Sequence, residues 1–276
     1  MEEIQNGFRG ILRLFLATFV ILAFLASAFI LKLRFRRDVI ARRKAFSHNS
    51  HFYCGLMAKM VKIHTTVKGK PIQGTNFLYV GNHMGFVDIF ALSATMPALF
   101  ITSHEMRETP VLGTLCEMAG CLFVERRSRT KIMGELDALK EALEQGFNIV
   151  LYPEATSTNG EAVLPFKKTL MMAGPKAGRP IQTGCVNFLE INGEDFNLRS
   201  RDSVCWYGDM SFVAALWNTL TASSIKAELE FLEPIHESPE ADRRDLANRA
   251  HAIISARYRP PRMEHSAVEE SLAAID

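Results

Sequence analysis

A chain of 276 residues that is 48% apolar can build one large α/β core or two small ones, which excludes a disordered protein. Its five cysteines, Cys54, Cys116, Cys121, Cys185 and Cys205, stand among apolar neighbours with no Cys-x-x-Cys pair and no histidine at metal spacing. They read as buried thiols in a reducing compartment rather than as a disulfide framework or a zinc site. The formal net charge of +2 conceals a split, because residues 1 to 44 carry nine Lys/Arg against three Asp/Glu and the remainder 23 against 27.

The first element in chain order explains that split. From Leu14 to Leu31 the run LFLATFVILAFLASAFIL contains no charge, long enough for a spanning helix. It passes directly into Lys32, Arg34, Arg36 and Arg37, whereas a cleaved signal peptide would show a shorter apolar core and a small-residue cleavage site. The basic flank continues to Lys44, so the expected partner is a lipid bilayer and not nucleic acid, with everything after the helix on the cytoplasmic side of the inner membrane. Arg13 shortens the run at one end, and residues 51 to 63 (HFYCGLMAKMVKI) offer a second, amphipathic helix, so a hairpin lying in the interface competes with a full crossing.

After Val61 the pattern changes to short β-type runs separated by helix-length stretches. Strands are predicted at Thr65 to Lys68, Phe77 to Gly81, Ala98 to Thr102, Cys121 to Glu125, Asn148 to Tyr152, Ile181 to Phe188, Ser203 to Trp206 and Ala227 to Leu232. The clearest helix between them is Thr130 to Gln145, where Ile132, Leu136, Leu139 and Leu143 recur at helical spacing and Gly146 stops it. Residues 206 to 217 hold both tryptophans and suit either an amphipathic helix at lipid headgroups or a core helix. The alternation implies an α/β fold, a mostly parallel mixed sheet covered by helices, with ligands at the carboxyl ends of the strands. The expected organisation is an N-terminal membrane anchor over 1–64, a catalytic domain over 65–258 and a frayed tail over 259–276.

Chemistry is therefore sought just past the strands. The segment Asn82-His83-Met84-Gly85-Phe86-Val87-Asp88 follows the strand FLYVG, with Gly85 permitting a turn and Asp88 near the start of the next helix. An aspartate holding one imidazole nitrogen fixes the tautomer and leaves the other nitrogen as a base toward a substrate hydroxyl. The competing reading is a buried histidine beside an ordinary helix cap. Past the strand NIVLY come Pro153, Glu154, Ala155, Thr156, Ser157 and Thr158, a polar wall facing the same crevice. Arg126, Arg127 and Arg129 follow a third strand, and Lys167 and Lys168 follow Pro165-Phe166; cations at a crevice suit a phosphate. No Gly-rich phosphate loop, Gly-x-Ser-x-Gly elbow or His-rich metal pattern is present in the sequence.

Taken together these blocks resemble the glycerolipid and lysophospholipid acyltransferase family, typified by 1-acylglycerol-3-phosphate O-acyltransferase. Its Asn-His-x4-Asp block is matched by Asn82, His83 and Asp88, and its Gly-x-x-Phe-x-x-Arg block by Gly120, Phe123 and Arg126. Its Phe-Pro-Glu-Gly-Thr-Arg-Ser block is matched by Tyr152, Pro153, Glu154 and Thr156, and a fourth block lies near Pro180. The resemblance implies His83 as general base and Asp88 as its orienting partner, with Asn82, Arg126, Glu154, Thr156, Ser157 and Lys167 at the acceptor. It also implies acyl-CoA or acyl-carrier protein as donor, no metal or other cofactor, and lysophosphatidic acid as the acceptor slightly ahead of a lysophosphatidylcholine-type or lyso-ornithine lipid. Two departures matter: Ala155 stands where the family usually has glycine, and Ser157 where it usually has arginine.

Overall fold

A computed structural model describes residues 2–125 and 132–263 of the chain. It opens with α1 (Glu2–Arg34), a helix of 33 residues and about 50 Å, whose most apolar stretch has a mean hydropathy of 2.7. By length and composition α1 can cross a membrane. A short turn leads to α2 (Val39–Val61), capped at its start by Asp38, whose carboxylate accepts the Ala41 N–H at 2.9 Å. This helix begins twelve residues earlier than the expected amphipathic segment, because nothing between Val39 and Ser50 breaks a helix. Lys32, Arg34, Arg36, Arg37, Arg42, Arg43 and Lys44 consequently gather around one hairpin turn.

The two helices pack together, with Ser27 Oγ bonded to Asn49 Oδ1 at 3.0 Å and Phe24 edge-on to Tyr53 at 5.7 Å. Phe15, Phe19, Leu22, Phe29 and Phe52 remain exposed. Exposed aromatic and aliphatic side chains in such number leave an apolar surface larger than a water-facing protein tolerates.

The rest of the chain contributes β1 (Ile63–Lys68), β2 (Leu78–Gly81), α3 (Phe86–Ser93), β3 (Leu99–Ser103), α4 (His104–Glu108), α5 (Leu112–Met118) and β4 (Leu122–Val124). There follow α6 (Ile132–Glu144), β5 (Ile149–Leu151), α7 (Ala173–Lys176), β6 (Ile181–Ile191), β7 (Glu194–Asp195), α8 (Phe212–Thr221), β8 (Ile225–Phe231) and α9 (Arg243–Ser255). The sheet runs β1-β8-β6-β2-β5-β3-β4, with β7 paired to β6. From β6 to β4 every pairing is parallel, while β8 meets β6 antiparallel and carries β1 with it. A mixed, mostly parallel sheet is thus observed, and the carboxyl ends of β2, β3, β4 and β5 share one edge. Strand side chains alternate between two cores: Tyr79, Val150 and Val186 lie on the face covered by α2 and α3, and Leu78, Val80, Ile149 and Leu151 on the face covered by α6 and α9.

Three further expectations are corrected. Ser203 to Trp206 is not a strand: Arg201–Ser203 is a single 3₁₀ turn, and the apolar Val204 and Cys205 are buried beneath a loop rather than in the sheet. The helix expected over 206 to 217 starts later, at Phe212, where Ser211 Oγ accepts the Ala214 N–H. The segment after Arg257 is also not frayed at its beginning. Arg259 N–H donates to Asn187 Oδ1 at 2.7 Å, Arg259 pairs with Glu228, and Arg262 N–H donates to the Phe196 carbonyl at 2.9 Å. The expected tail from residue 264 onward lies outside the described residues.

The N-terminal helix is tied to the body by its own cations. Arg13, only 5% exposed, donates from Nη1 to the carbonyls of Leu220 and Ala222 and from Nη2 to Ser223, while Arg9 donates to Thr221 at 2.7 Å. These are the orphan carbonyls at the end of α8, so a buried guanidinium serves as its C-terminal cap. Replacing Arg13 with Ala should cost about 2 kcal/mol, the order expected for charge-assisted hydrogen bonds left unmade. Thermal unfolding in detergent checks this, and an unchanged midpoint would remove the capping role.

Candidate active site

At the carboxyl end of β2 the chain turns through Asn82 to Gly85 and enters α3. Asp88 sits at the third position of that helix and is fully buried. One of its oxygens, Oδ2, takes three donors: His83 Nδ1 at 3.0 Å, Met84 N–H at 2.6 Å and Gly85 N–H at 3.0 Å. The two readings left open by the sequence are therefore one object, since the carboxylate that orients the imidazole also caps the helix. Its charge is held by amide donors at a helix N-terminus, where a negative charge is favoured. Gly85 has extended backbone, and its lack of a side chain serves a close approach: a Cβ there would lie 2.6 Å from the Val204 carbonyl oxygen.

The imidazole stacks on Tyr152 at 4.2 Å with ring planes 7° apart, and its side chain is 19% exposed. With Nδ1 donating to Asp88, Nε2 is the nitrogen left as an acceptor. The turn is pinned from outside as well. Thr158 donates to the His83 carbonyl from both N–H (3.1 Å) and Oγ1 (3.2 Å), and Trp206 N–H donates to the Met84 carbonyl at 2.7 Å. Tyr258 donates its hydroxyl to the Gly160 carbonyl and touches Met84 Sδ at 3.2 Å. A fixed, partly exposed imidazole with one free ring nitrogen has the chemistry to deprotonate a hydroxyl.

The other expected site residues divide into three groups. Asn82 is 2% exposed, and its amide exchanges hydrogen bonds with the Val186 backbone at 2.9 and 2.8 Å, so it ties β2 to β6 instead of facing an acceptor. Glu154 gives one oxygen to the His83 N–H and the other to the Leu164 N–H, both at 2.7 Å, which makes it a brace between loops. Ser157 donates to the Trp206 carbonyl and so presents neither charge nor a free hydroxyl where the family usually has arginine. Thr156 and Lys167 are exposed, and Lys167 lines a cleft with Ser103, His104, Tyr152, Pro153 and Ala155. Arg126, with Arg127 and Arg129, lies outside the described residues. Sequence reasoning did not single out Tyr152, Trp206 or Tyr258 as supports of the site; only Tyr152, as part of a block, carried a signal.

The comparisons with known proteins bear on the same segment. The family model described as Acyltransferase matches residues 62–187. The chain is 30% identical to the lyso-ornithine lipid O-acyltransferase of Brucella abortus over 217 residues, covering 75% of this chain and 81% of that one. The chain belongs to the acyltransferase family. This acyltransferase is also 28% identical to the 1-acyl-sn-glycerol-3-phosphate acyltransferase of Neisseria gonorrhoeae, over 67% of this chain and 71% of that one. Its fold is that of the crystal structure of the 1-acyl-sn-glycerophosphate acyltransferase PlsC from Thermotoga maritima, with a TM-score of 0.65 at 20% identity, covering 99% of this chain and 98% of that one. The reaction class is acyl transfer to a lysolipid.

Two consequences can be measured. Ala155, the acyltransferase's substitute for the family's usual glycine, has φ +61°, a left-handed conformation that strains a residue with a Cβ. Ala155→Gly should raise stability by about 1 kcal/mol through relief of that strain, partly offset by the entropy of glycine. A lowered thermal midpoint would contradict it. Burial, and secondarily Asp88, push the Glu154 carboxyl up from 4.5 to about 7 against its two amide donors. The folded enzyme then holds a proton that the unfolded chain releases, so stability falls as pH rises from 4.5 to 7 and levels off above. The total is about 3 kcal/mol, and Glu154→Gln should abolish that slope in unfolding measured across this range.

Proposed function

We propose that His83 Nε2 removes the proton from the free hydroxyl of a lysolipid as that oxygen attacks the carbonyl carbon of an acyl thioester, from acyl-CoA or acyl-carrier protein. The tetrahedral intermediate collapses by breaking the carbon–sulfur bond, and the thiolate recovers the proton from the imidazolium. The observation that carries this reading is the geometry of His83: Nδ1 is bound to Asp88 at 3.0 Å and the partly exposed ring is stacked on Tyr152, itself a lining residue of the cleft, which leaves Nε2 as the nitrogen able to accept a proton. No serine is required, because the acceptor supplies the nucleophile.

The acceptor we propose is 1-acyl-sn-glycerol-3-phosphate, giving phosphatidic acid. Lys167 in the cleft beside Tyr152 supports a phosphate, as does the likeness to the Neisseria enzyme. A second reading, a lyso-ornithine lipid, is favoured by a different observation: Ser157 carries no charge and is bonded to backbone, and the Brucella relative bears that name. The chain sits on a membrane through the α1–α2 hairpin, with the basic turn from Lys32 to Lys44 against anionic lipid on the cytoplasmic face of the inner membrane.

Purified enzyme offered labelled acyl thioesters with a panel of lysolipids tests reaction and headgroup together. Acceptor-dependent thiol release is expected, with His83→Ala lowering it by on the order of a thousandfold while the fold persists. Activity near the wild-type level in that variant would end the base assignment, and thiol release without acceptor would make the protein a hydrolase.

A further inference from the structure

Behind the His83–Asp88 pair lies a group of buried polar atoms that the reaction as described does not use. Among the described residues six buried side-chain polar atoms have no hydrogen-bond partner, and three of them are Asp88 Oδ1, Tyr79 Oη and Tyr152 Oη. Such atoms are costly one by one, so their clustering at one place in the fold calls for a shared cause. Tyr79 is fully buried and Tyr152 nearly so.

The sheet is shaped to admit one of these phenols. The Tyr79 ring lies across Gly81 and Gly184, which are register partners on β2 and β6. A Cβ on Gly81 would come within 2.8 Å of Tyr79 Oη, and one on Gly184 within 2.5 Å. Two paired glycines thus clear a path along which the hydroxyl reaches the carboxyl end of β2, the end from which His83 projects. Tyr152 approaches from β5 through its stack on the imidazole. Burial, then Cys185 and Asp88, hold the Tyr79 hydroxyl well above its ordinary range; burial, then Asp88 and Tyr79, do the same for Tyr152. Both phenols are therefore hydrogen-bond donors in the electrostatic reach of one carboxylate.

We propose that Tyr79 and Tyr152 are positioning residues that act on His83 through Asp88, donating their hydroxyl protons toward Asp88 Oδ1 across one enclosed water that the three groups share. A buried water needs two to four polar partners, and these three supply them. Oδ2 is then fixed by backbone and imidazole, Oδ1 by the phenols, and the carboxylate cannot rotate or draw the Nδ1 proton away. The other titratable groups within electrostatic reach of Asp88 are Glu154 beyond β5, Cys205 in the loop over the turn and Tyr258 from the C-terminal segment. The inference rests on the base assignment for His83.

The test compares Tyr79→Phe, Tyr152→Phe, the double variant and His83→Ala in full-length enzyme, with kcat/KM followed across pH. With a donor to Asp88 lost, the carboxylate charge is less compensated and holds a proton on the imidazole to higher pH. Tyr79→Phe should lower kcat at neutral pH by on the order of tenfold with KM little changed, and move the acidic limb of the profile to higher pH. The double variant should lose less than the product of the two single losses, because the shared water goes with the first. If the phenol is a mere orphan, Tyr79→Phe instead raises the thermal midpoint and leaves rate and limb in place, which overturns the proposal. A rate loss with an unmoved limb, or multiplicative losses in the double variant, overturns it too. An active His83→Ala would sink the base assignment beneath it, a result separate from either outcome for Tyr79.

Discussion

The hydrogen bond from His83 to Asp88 organises everything around it, because a buried carboxylate is tolerated only when its charge is met. Here the compensation comes from the first turn of α3, whose amides at Met84 and Gly85 point at the same oxygen that holds the imidazole. A helix start thus does two jobs: it stabilises the anion, and it fixes where the imidazole stands relative to the sheet. The loops after β5 and before α8 follow from that arrangement, with Glu154, Thr158 and Trp206 each securing one backbone group of the turn. The site is rigid because its backbone, and not only its side chains, is hydrogen-bonded from outside.

Much of this was legible before the fold. A histidine five residues ahead of an aspartate, placed at the end of an apolar run, located the His83–Asp88 hydrogen bond, and the parallel strands were found to within a residue or two apart from the longer extension of β6. What could not be read was the destination of individual polar groups. Asn82 and Glu154 look like pocket residues in a linear string, and only the pairing of β2 with β6 and β5 brings Val186 and the His83 amide within their reach. Ser203 to Trp206 misled for a related reason, since its apolar residues are buried against a turn that belongs to another part of the chain. The left-handed backbone at Ala155 was hinted at only by the glycine it replaces.

The N-terminal hairpin and the sheet are also less separable than the sequence suggested. Arg9 and Arg13 break the apolar pattern of α1, and a reading by composition treats them as its border. In the fold they close the end of α8, so the long apolar helix is mechanically joined to the body of the enzyme.

The bond from Tyr258 to the Gly160 carbonyl sets an order of events during synthesis. The hairpin precedes the sheet in the chain and leaves the ribosome while the sheet is still emerging, yet the loop beside His83 has no lock until Tyr258, which follows every strand, is made. A nascent chain therefore carries its apolar helices before its site is finished, and a chain that stops ahead of Tyr258 leaves the loop beside His83 without that bond.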